Sequence, residues 1–324
     1  MHDNYVTHND HFQFGWGDDI YNFDNKTGVF WVKFGRASYQ PVSFRKECVR
    51  AAELIAQHAK KPVLVCYSGG IDSEIVVRSF MEANSKFEVV IMKLKFGNNE
   101  HINDYDTTYA FDFVKEHNLK YRTVTIDMED FIRNTVTSQC QRYASDLWGI
   151  ILHTQLVKLF PDYHCVFGGG DIYLQRHRYN GRPEKSGMFL EEELISLAPI
   201  EAAYELNGGA TNRFFMHTPE LMLSFLTDPD ISHWIKYEVA TFSKFTNMNY
   251  FAIKPYMYYR HWPDMTIRPK YNGFESMMAE LRRDIDLNTD IRLILENVKI
   301  YKNREIIIDY ETLLEWLTPT ENQC

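Results

Sequence analysis

Little in this chain marks it for a membrane, a disulfide framework or a protein-bound metal. No apolar run approaches the eighteen or so residues that a bilayer span requires. The start, "MHDNYVTHNDHFQFGWGDD", has no basic segment followed by an apolar one, so no secretory leader is expected. Cysteine is scarce: Cys48, Cys66, Cys140, Cys165 and Cys324 are scattered without a C-x-x-C pair. That usage suits the reduced cytoplasm and removes the common zinc and dithiol readings. The 12 histidines are dispersed too, with no H-E-x-x-H. Positive charge is in deficit, and a formal net charge of −9 disfavours nucleic acid as the main partner.

What remains is ordinary globular material. Of 324 residues, 45% are hydrophobic and 24% charged, enough for a sizeable core in one large or two smaller domains. Residues 1–40 are aromatic and polar, with "GVFWVKFG" (28–35) reading as a strand of a β-rich arm. Residues 42–60 place Phe44, Cys48, Ala52 and Ile55 on one helical face. "PVLVCY" (62–67) is continuously apolar, as a strand covered on both sides should be. Helical spacing resumes from Ser73 to Ala83. Strands are then expected at 87–96, 120–126 and 163–167, with helices at 104–118 and 144–160. The alternation predicts an α/β doubly wound sheet over residues 41–190. Residues 191–324 read as helical and aromatic, with no linker between the two parts.

The junction "VCYSGGIDSEIV" (65–76) sets Ser68, Gly69, Gly70, Asp72 and Ser73 between an apolar strand and a helix. Glycines turn the chain tightly and let an anion approach the backbone. Helix-end amides and the macrodipole then favour a phosphate, to which the serines add hydroxyl donors. An isolated S-G-G is ordinarily a capped turn; the strand before it and the helix after it favour the anion. Asp72 is out of place beside an anion unless a cation stands between them, and Mg²⁺ on a nucleotide supplies one.

The stretch is not G-x-x-x-x-G-K-[ST], and no G-x-G-x-x-G precedes it. It resembles the SGGxDS signature of the PP-loop ATP pyrophosphatases, among them asparagine synthetase, NAD and GMP synthetases and tRNA-modifying ligases. The resemblance implies an adenine nucleotide alpha hydrolase-like fold, a mostly parallel five-stranded sheet with a helical C-terminal part. It also implies that the loop grips the pyrophosphate of ATP while AMP passes to the substrate.

Two further stretches resemble the asparagine synthetase and β-lactam synthetase branch. "VFGGGDIYL" (166–174) is similar to its second glycine-rich acidic motif, which implies that Gly169 and Gly170 border the nucleotide and that Asp171 joins Asp72 in holding Mg²⁺. "YRHWPDMTIRPKYNGFE" (259–275) is similar to the branch's R-x-K segment and aligns Lys270 with the lysine that stabilises the departing pyrophosphate. Leu94 and Phe96, at the end of the second body strand, match the edge that packs on adenine. The chain departs from the branch at Ile172, where the family carries a glutamate, and with Met1 followed by His2 no glutaminase domain with an N-terminal cysteine is expected.

The resemblance implies an AMP-forming amide ligase that adenylates a small-molecule carboxylate or amide oxygen, with a separate amine donor. A nucleobase- or tRNA-modifying relative is the alternative, although the thiolating cysteine pair and the zinc cysteine cluster of those branches are missing. A catalytically lapsed ATP-binding protein is the other, and Ile172 favours it. "QRHRYNGRPEK" (175–185) reads equally as a lid for an acidic acceptor and as a solvated basic loop. Asp127 and Asp146 read as helix-end carboxylates with no catalytic part.

Overall fold

The computed structural model describes residues 11–20, 28–96, 102–143, 148–169, 174–177, 185–191, 209–233, 246–268 and 305–320. The chain opens with β1 (Phe12–Trp16), β2 (Asp19–Ile20) and β3 (Phe30–Phe34), an antiparallel sheet in the order β2-β1-β3. Helix α1 (Phe44–His58) begins where the Ser43 side chain accepts from the Lys46 amide, satisfying one of the amides that a helix start leaves over. There follow β4 (Val63–Cys66), α2 (Ile71–Glu82), β5 (Phe87–Lys95), α3 (Asp104–Glu116) and β6 (Tyr121–Asp127). A helical run continues from α4 (Met128–Phe131) through a π turn at Ile132–Val136 into α5 (Thr137–Tyr143). Asp127 caps α4, accepting from the amides of Glu129 and Asp130, as its place at a strand end suggested.

Beyond lie α6 (Trp148–Leu159), β7 (His164–Phe167), β8 (Leu174–His177), β9 (Lys185–Glu191) and β10 (Gly209–Thr211). The described part ends with α7 (Pro219–Leu226), α8 (Thr246–His261), β11 (Glu305–Asp309) and α9 (Tyr310–Leu317). Five strands form an all-parallel sheet in the order β10-β7-β4-β5-β6. From the central β4 the chain builds outward through β5 to β6, then returns to the other side of β4 with β7 and β10.

Side chains alternate along these strands, and each set meets its own core. Val63, Val65 and Tyr67 join Val89 and Ile91 beneath α1, α2 and α3. Leu64 and Cys66 join Val90, Leu94, Cys165 and Phe167 against α4 to α6. Both faces are covered, which is why these strands read as unbroken apolar runs. The fold is α/β and doubly wound, as the alternation predicted.

Two features depart from the sequence reading. The fifth strand comes from beyond residue 190, where helix was expected, and "GAT" is too short for periodicity to reveal. Among the described residues it pairs only with β7, and a Cβ on its Gly209 would stand 2.2 Å from His164 Nδ1, so a larger residue there would have to push that ring aside. The expected helical C-terminal region also supplies β11, which pairs antiparallel with β9 and, through it, β8. The ends of the basic stretch 175–185 are thus strand, and the residues between them lie outside the described part. So do most of the helices expected at 191–206, 232–245 and 273–285.

Candidate active site

In an open parallel sheet, ligands bind at the carboxyl ends of the strands where the connections switch direction. Here that point lies between β4 and β7. β4 leaves it through Tyr67–Gly70 into α2, and β7 leaves it through Gly168 and Gly169.

The two exits touch. A Cβ on Gly168 would fall 2.9 Å from Ser73 Cα and 3.0 Å from Ser73 N, so only glycine lets the β7 exit lie against the first turn of α2. On the other side, Gly69 has φ +92° and faces α3; a Cβ there would fall 1.8 Å from the Asp106 carbonyl oxygen. The loop is walled by backbone on both flanks. Gly169 abuts Asn212, whose carbonyl oxygen a Cβ would approach to 2.9 Å.

Inside the loop the serines hold the turn together. Ser73 Oγ donates to the Gly70 carbonyl at 2.9 Å and lies 3.0 Å from Ser68 Oγ, which accepts from the Gly70 amide at 3.3 Å. The α2 N-cap is Gly70, which has no side chain to offer, and no capping side-chain hydrogen bond is made. Amides of the first turn have no intrahelical acceptor. An anion bound there would meet these amides, the positive end of the helix dipole and two hydroxyls.

The charges around the first turn come from far along the chain. The Asp72 carboxylate receives the Lys254 ammonium at 3.0 Å on Oδ1 and 3.1 Å on Oδ2, and the Tyr258 hydroxyl at 2.8 Å. Lys254 and Tyr258 stand one turn apart on α8, and both are buried. Tyr258 packs against both Phe44 and Phe215, its ring 5.7 Å from the former and 6.1 Å from the latter. The end of α8 is tied down as well: Arg260 and His261 bind Asp228, and the His261 carbonyl accepts from Arg45.

One turn into α2, the buried Glu74 accepts from Tyr67 Oη at 3.1 Å, Arg78 Nε at 2.8 Å and Arg268 Nη1 at 2.7 Å. Burial, then the Glu74 charge, pushes the Tyr67 phenol far above its ordinary range, so its hydroxyl keeps the proton that it donates to Glu74. The Arg268 guanidinium lies over the Tyr109 ring at 4.8 Å, and its buried Nη2 has no acceptor among the described residues.

Of the residues expected from sequence, the structure brings together Ser68, Gly69, Gly70, Asp72, Ser73 and Gly169. Gly170, Asp171, Ile172 and Lys270 lie outside the described residues. Leu94 is 3% exposed in the second core, with its amide on Asn103 Oδ1 at 2.8 Å, while Phe96 packs half-buried against that core. The Arg268 side chain is only 5% exposed. Sequence reasoning missed Gly168, Lys254 and Tyr258. The available signal for Lys254 was a single charge in the stripe Lys254, Tyr258, Trp262, otherwise aromatic and all buried.

The described residues around Asp72 do not by themselves fit a magnesium ion, and Asp171, the second expected ligand, lies outside the described residues. Mg²⁺ takes carboxylate oxygens at about 2.1 Å, and a dication that close to Asp72 would lie against the Lys254 ammonium. Among the described residues, no group of three or more His, Cys, Asp and Glu side chains could hold a metal.

No protein-family model matches the sequence, and no curated protein matches it either. Among solved structures, an NH3-dependent NAD synthetase from Campylobacter jejuni subsp. jejuni NCTC 11168, in complex with nitrate, is similar over 39% of this chain and 56% of its own, with TM-score 0.28 and 15% identity. This chain therefore spans little more than half of that enzyme's length. NMN synthetase from Francisella tularensis is similar over 70% of this chain and 98% of its own, with TM-score 0.29 and 12% identity.

Proposed function

We propose that this protein is an ATP-dependent C–N ligase that forms AMP and pyrophosphate. The observation that carries the reading is the loop between β4 and α2. A sequence of the form S-G-G-x-D-S sits at the switch point of a parallel sheet, its serines facing each other and its flanks closed by glycine-only contacts. That is a rigid seat for the pyrophosphate end of a nucleotide. The contacts of Lys254, Tyr258 and Arg268 with Asp72 and Glu74 support reading residues 191–324 as the region that completes the site of the nucleotide-binding body at 41–190.

In the proposed reaction a carboxylate or amide oxygen of a small acceptor attacks the α-phosphorus of ATP. The bond from that phosphorus to the β-phosphate oxygen breaks, and pyrophosphate leaves with both bonding electrons. Ser68, Ser73 and the first-turn amides of α2 hold the leaving group where its charge develops. A nitrogen nucleophile then attacks the adenylated carbon, loses a proton and expels AMP. Adenine would lie at the β5 edge, where Phe96 is the accessible apolar side chain and Leu94 supports it from the core. Lys270 as a second stabiliser of pyrophosphate and Asp171 beside Gly170 are proposed from the asparagine synthetase-like resemblance. No step is routed through a metal at Asp72.

No helix among the described residues is long and apolar enough to cross a membrane, and we place the reaction in the cytoplasm. ATP–pyrophosphate exchange screened over amino acids and nucleobases tests the reading. Exchange with an amino acid supports amide ligation, and exchange with a base moves the acceptor to nucleobase chemistry. Absence of both exchange and AMP formation across the panel would sink the ligase.

A further inference from the structure

We infer that Lys254 is the cation that meets the nucleotide phosphates at this loop, and that Asp72 is the positioning residue that holds it, not a metal ligand. The inference rests on the proposed function and changes how its site works.

Asp72 is the second residue of α2, so its carboxylate stands beside the amides that would bind the anion. Left unpaired, it would repel a phosphate and cancel much of the helix dipole. The structure places one side chain there to prevent this. The Lys254 ammonium spans both carboxylate oxygens and comes from α8, 182 residues away. Its side chain is only 6% exposed, and burying an ammonium without a partner is expensive. Asp72 therefore holds the ammonium at the loop, and the Tyr258 hydroxyl fixes the angle of the carboxylate.

The pair is neutral as a whole, so the dipole and amides of α2 act on an incoming anion unopposed. A polyphosphate seated on the first turn brings its oxygens to the ammonium, which stays on the Asp72 carboxylate and bridges it to the phosphate. Charge-assisted contacts of this kind are short and about twice as strong as neutral ones. Arg268 stands beside the same helix with a buried Nη2 that lacks an acceptor among the described residues. The C-terminal segment thus delivers two cations to one turn of α2.

Binding of inorganic pyrophosphate and of ATP to the full chain, by calorimetry in EDTA and again in excess magnesium, tests this. Wild type is expected to bind pyrophosphate in EDTA. Lys254→Met should weaken that binding roughly 10- to 100-fold in both media, and Lys254→Arg should restore most of it. Asp72→Asn should weaken binding several-fold in EDTA and leave the gain conferred by magnesium unchanged, because it removes a positioning group and no metal ligand. A purely structural role for Asp72 would lower thermal stability without sparing that magnesium response.

The inference is overturned if wild type binds pyrophosphate only with magnesium, or not at all. It is also overturned if a folded Lys254→Met protein binds pyrophosphate as wild type does, or if Asp72→Asn abolishes the magnesium response. The outcomes separate from the ligase reading. Lys254-dependent pyrophosphate binding without AMP formation would remove the ligase and leave Lys254 in place; AMP formation indifferent to Lys254 would do the reverse.

Discussion

At the scale of single residues, two adjacent positions show how unequally a loop distributes its constraints. Gly69 and Gly70 look alike in sequence. Gly69 has φ +92° and a Cβ position 1.8 Å from the Asp106 carbonyl oxygen, whereas Gly70 has φ −71° and would meet only Ser68 Oγ at 3.4 Å. Alanine at 69 combines a left-handed backbone penalty with a backbone clash, and about 2–4 kcal/mol of stability should go. Alanine at 70 should change stability by about 0.5 kcal/mol or less. Urea unfolding of the two variants beside wild type gives both numbers; equal losses would mean that the loop relaxes freely and is not walled by α3.

At the scale of elements, most of the body was legible because its signals are long. β4, β5, β6 and β7 lie within a residue or so of their expected bounds, since strands buried on both faces announce themselves as apolar runs between helical patterns. What escaped was short or came from a distance. Three residues of β10 carry no period, and the partners of Asp72 arrive from α8 by tertiary packing that no local pattern encodes. For the same reason the aspartate was legible as a charge in need of a cation, but not which cation.

The N-terminal sheet was legible too, though not how it is docked. His11, just before β1, has its Nε2 3.1 Å from Met222 Sδ on α7 and its Nδ1 accepting from the Gly35 amide at 3.0 Å. Burial lowers its pKa to about 3 from an ordinary 6.5. The folded value is depressed, so below pH 6.5 the unfolded chain takes up a proton that the folded chain refuses. Stability from this group is present in full above pH 6.5 and lost as pH falls toward 3. Between pH 6.5 and 5 the loss should reach about 2 kcal/mol. Denaturant unfolding at pH 7 and pH 5 should show a fall steeper by that amount in wild type than in His11→Gln. Equal falls would mean that His11 is protonated in the folded protein.

At the scale of the whole molecule, the sequence offers no linker between the body at 41–190 and the C-terminal region, and the packing joins the two. One core cluster joins Phe14 of the arm, Phe44 of α1, Val65 of β4, Leu223 of α7, Tyr258 of α8 and Leu317 of α9. Phe44 is covered by Phe215, Phe225, Tyr258 and Trp262, and Phe80 meets Phe214, all of them beyond residue 190. Uncovering Phe44 and Phe80 alone sacrifices about 3–6 kcal/mol, against a net stability of about 5–15 kcal/mol for a typical domain. Removing α8 and residue 268 also strips Asp72 of Lys254 and the buried Glu74 of Arg268, leaving carboxylates short of their charge partners. Residues 41–190 expressed alone should therefore show no cooperative thermal transition and no ATP binding, where the full chain shows both. A sigmoidal melt of that fragment with nucleotide binding intact would make it an autonomous domain and the C-terminal cations dispensable to the loop.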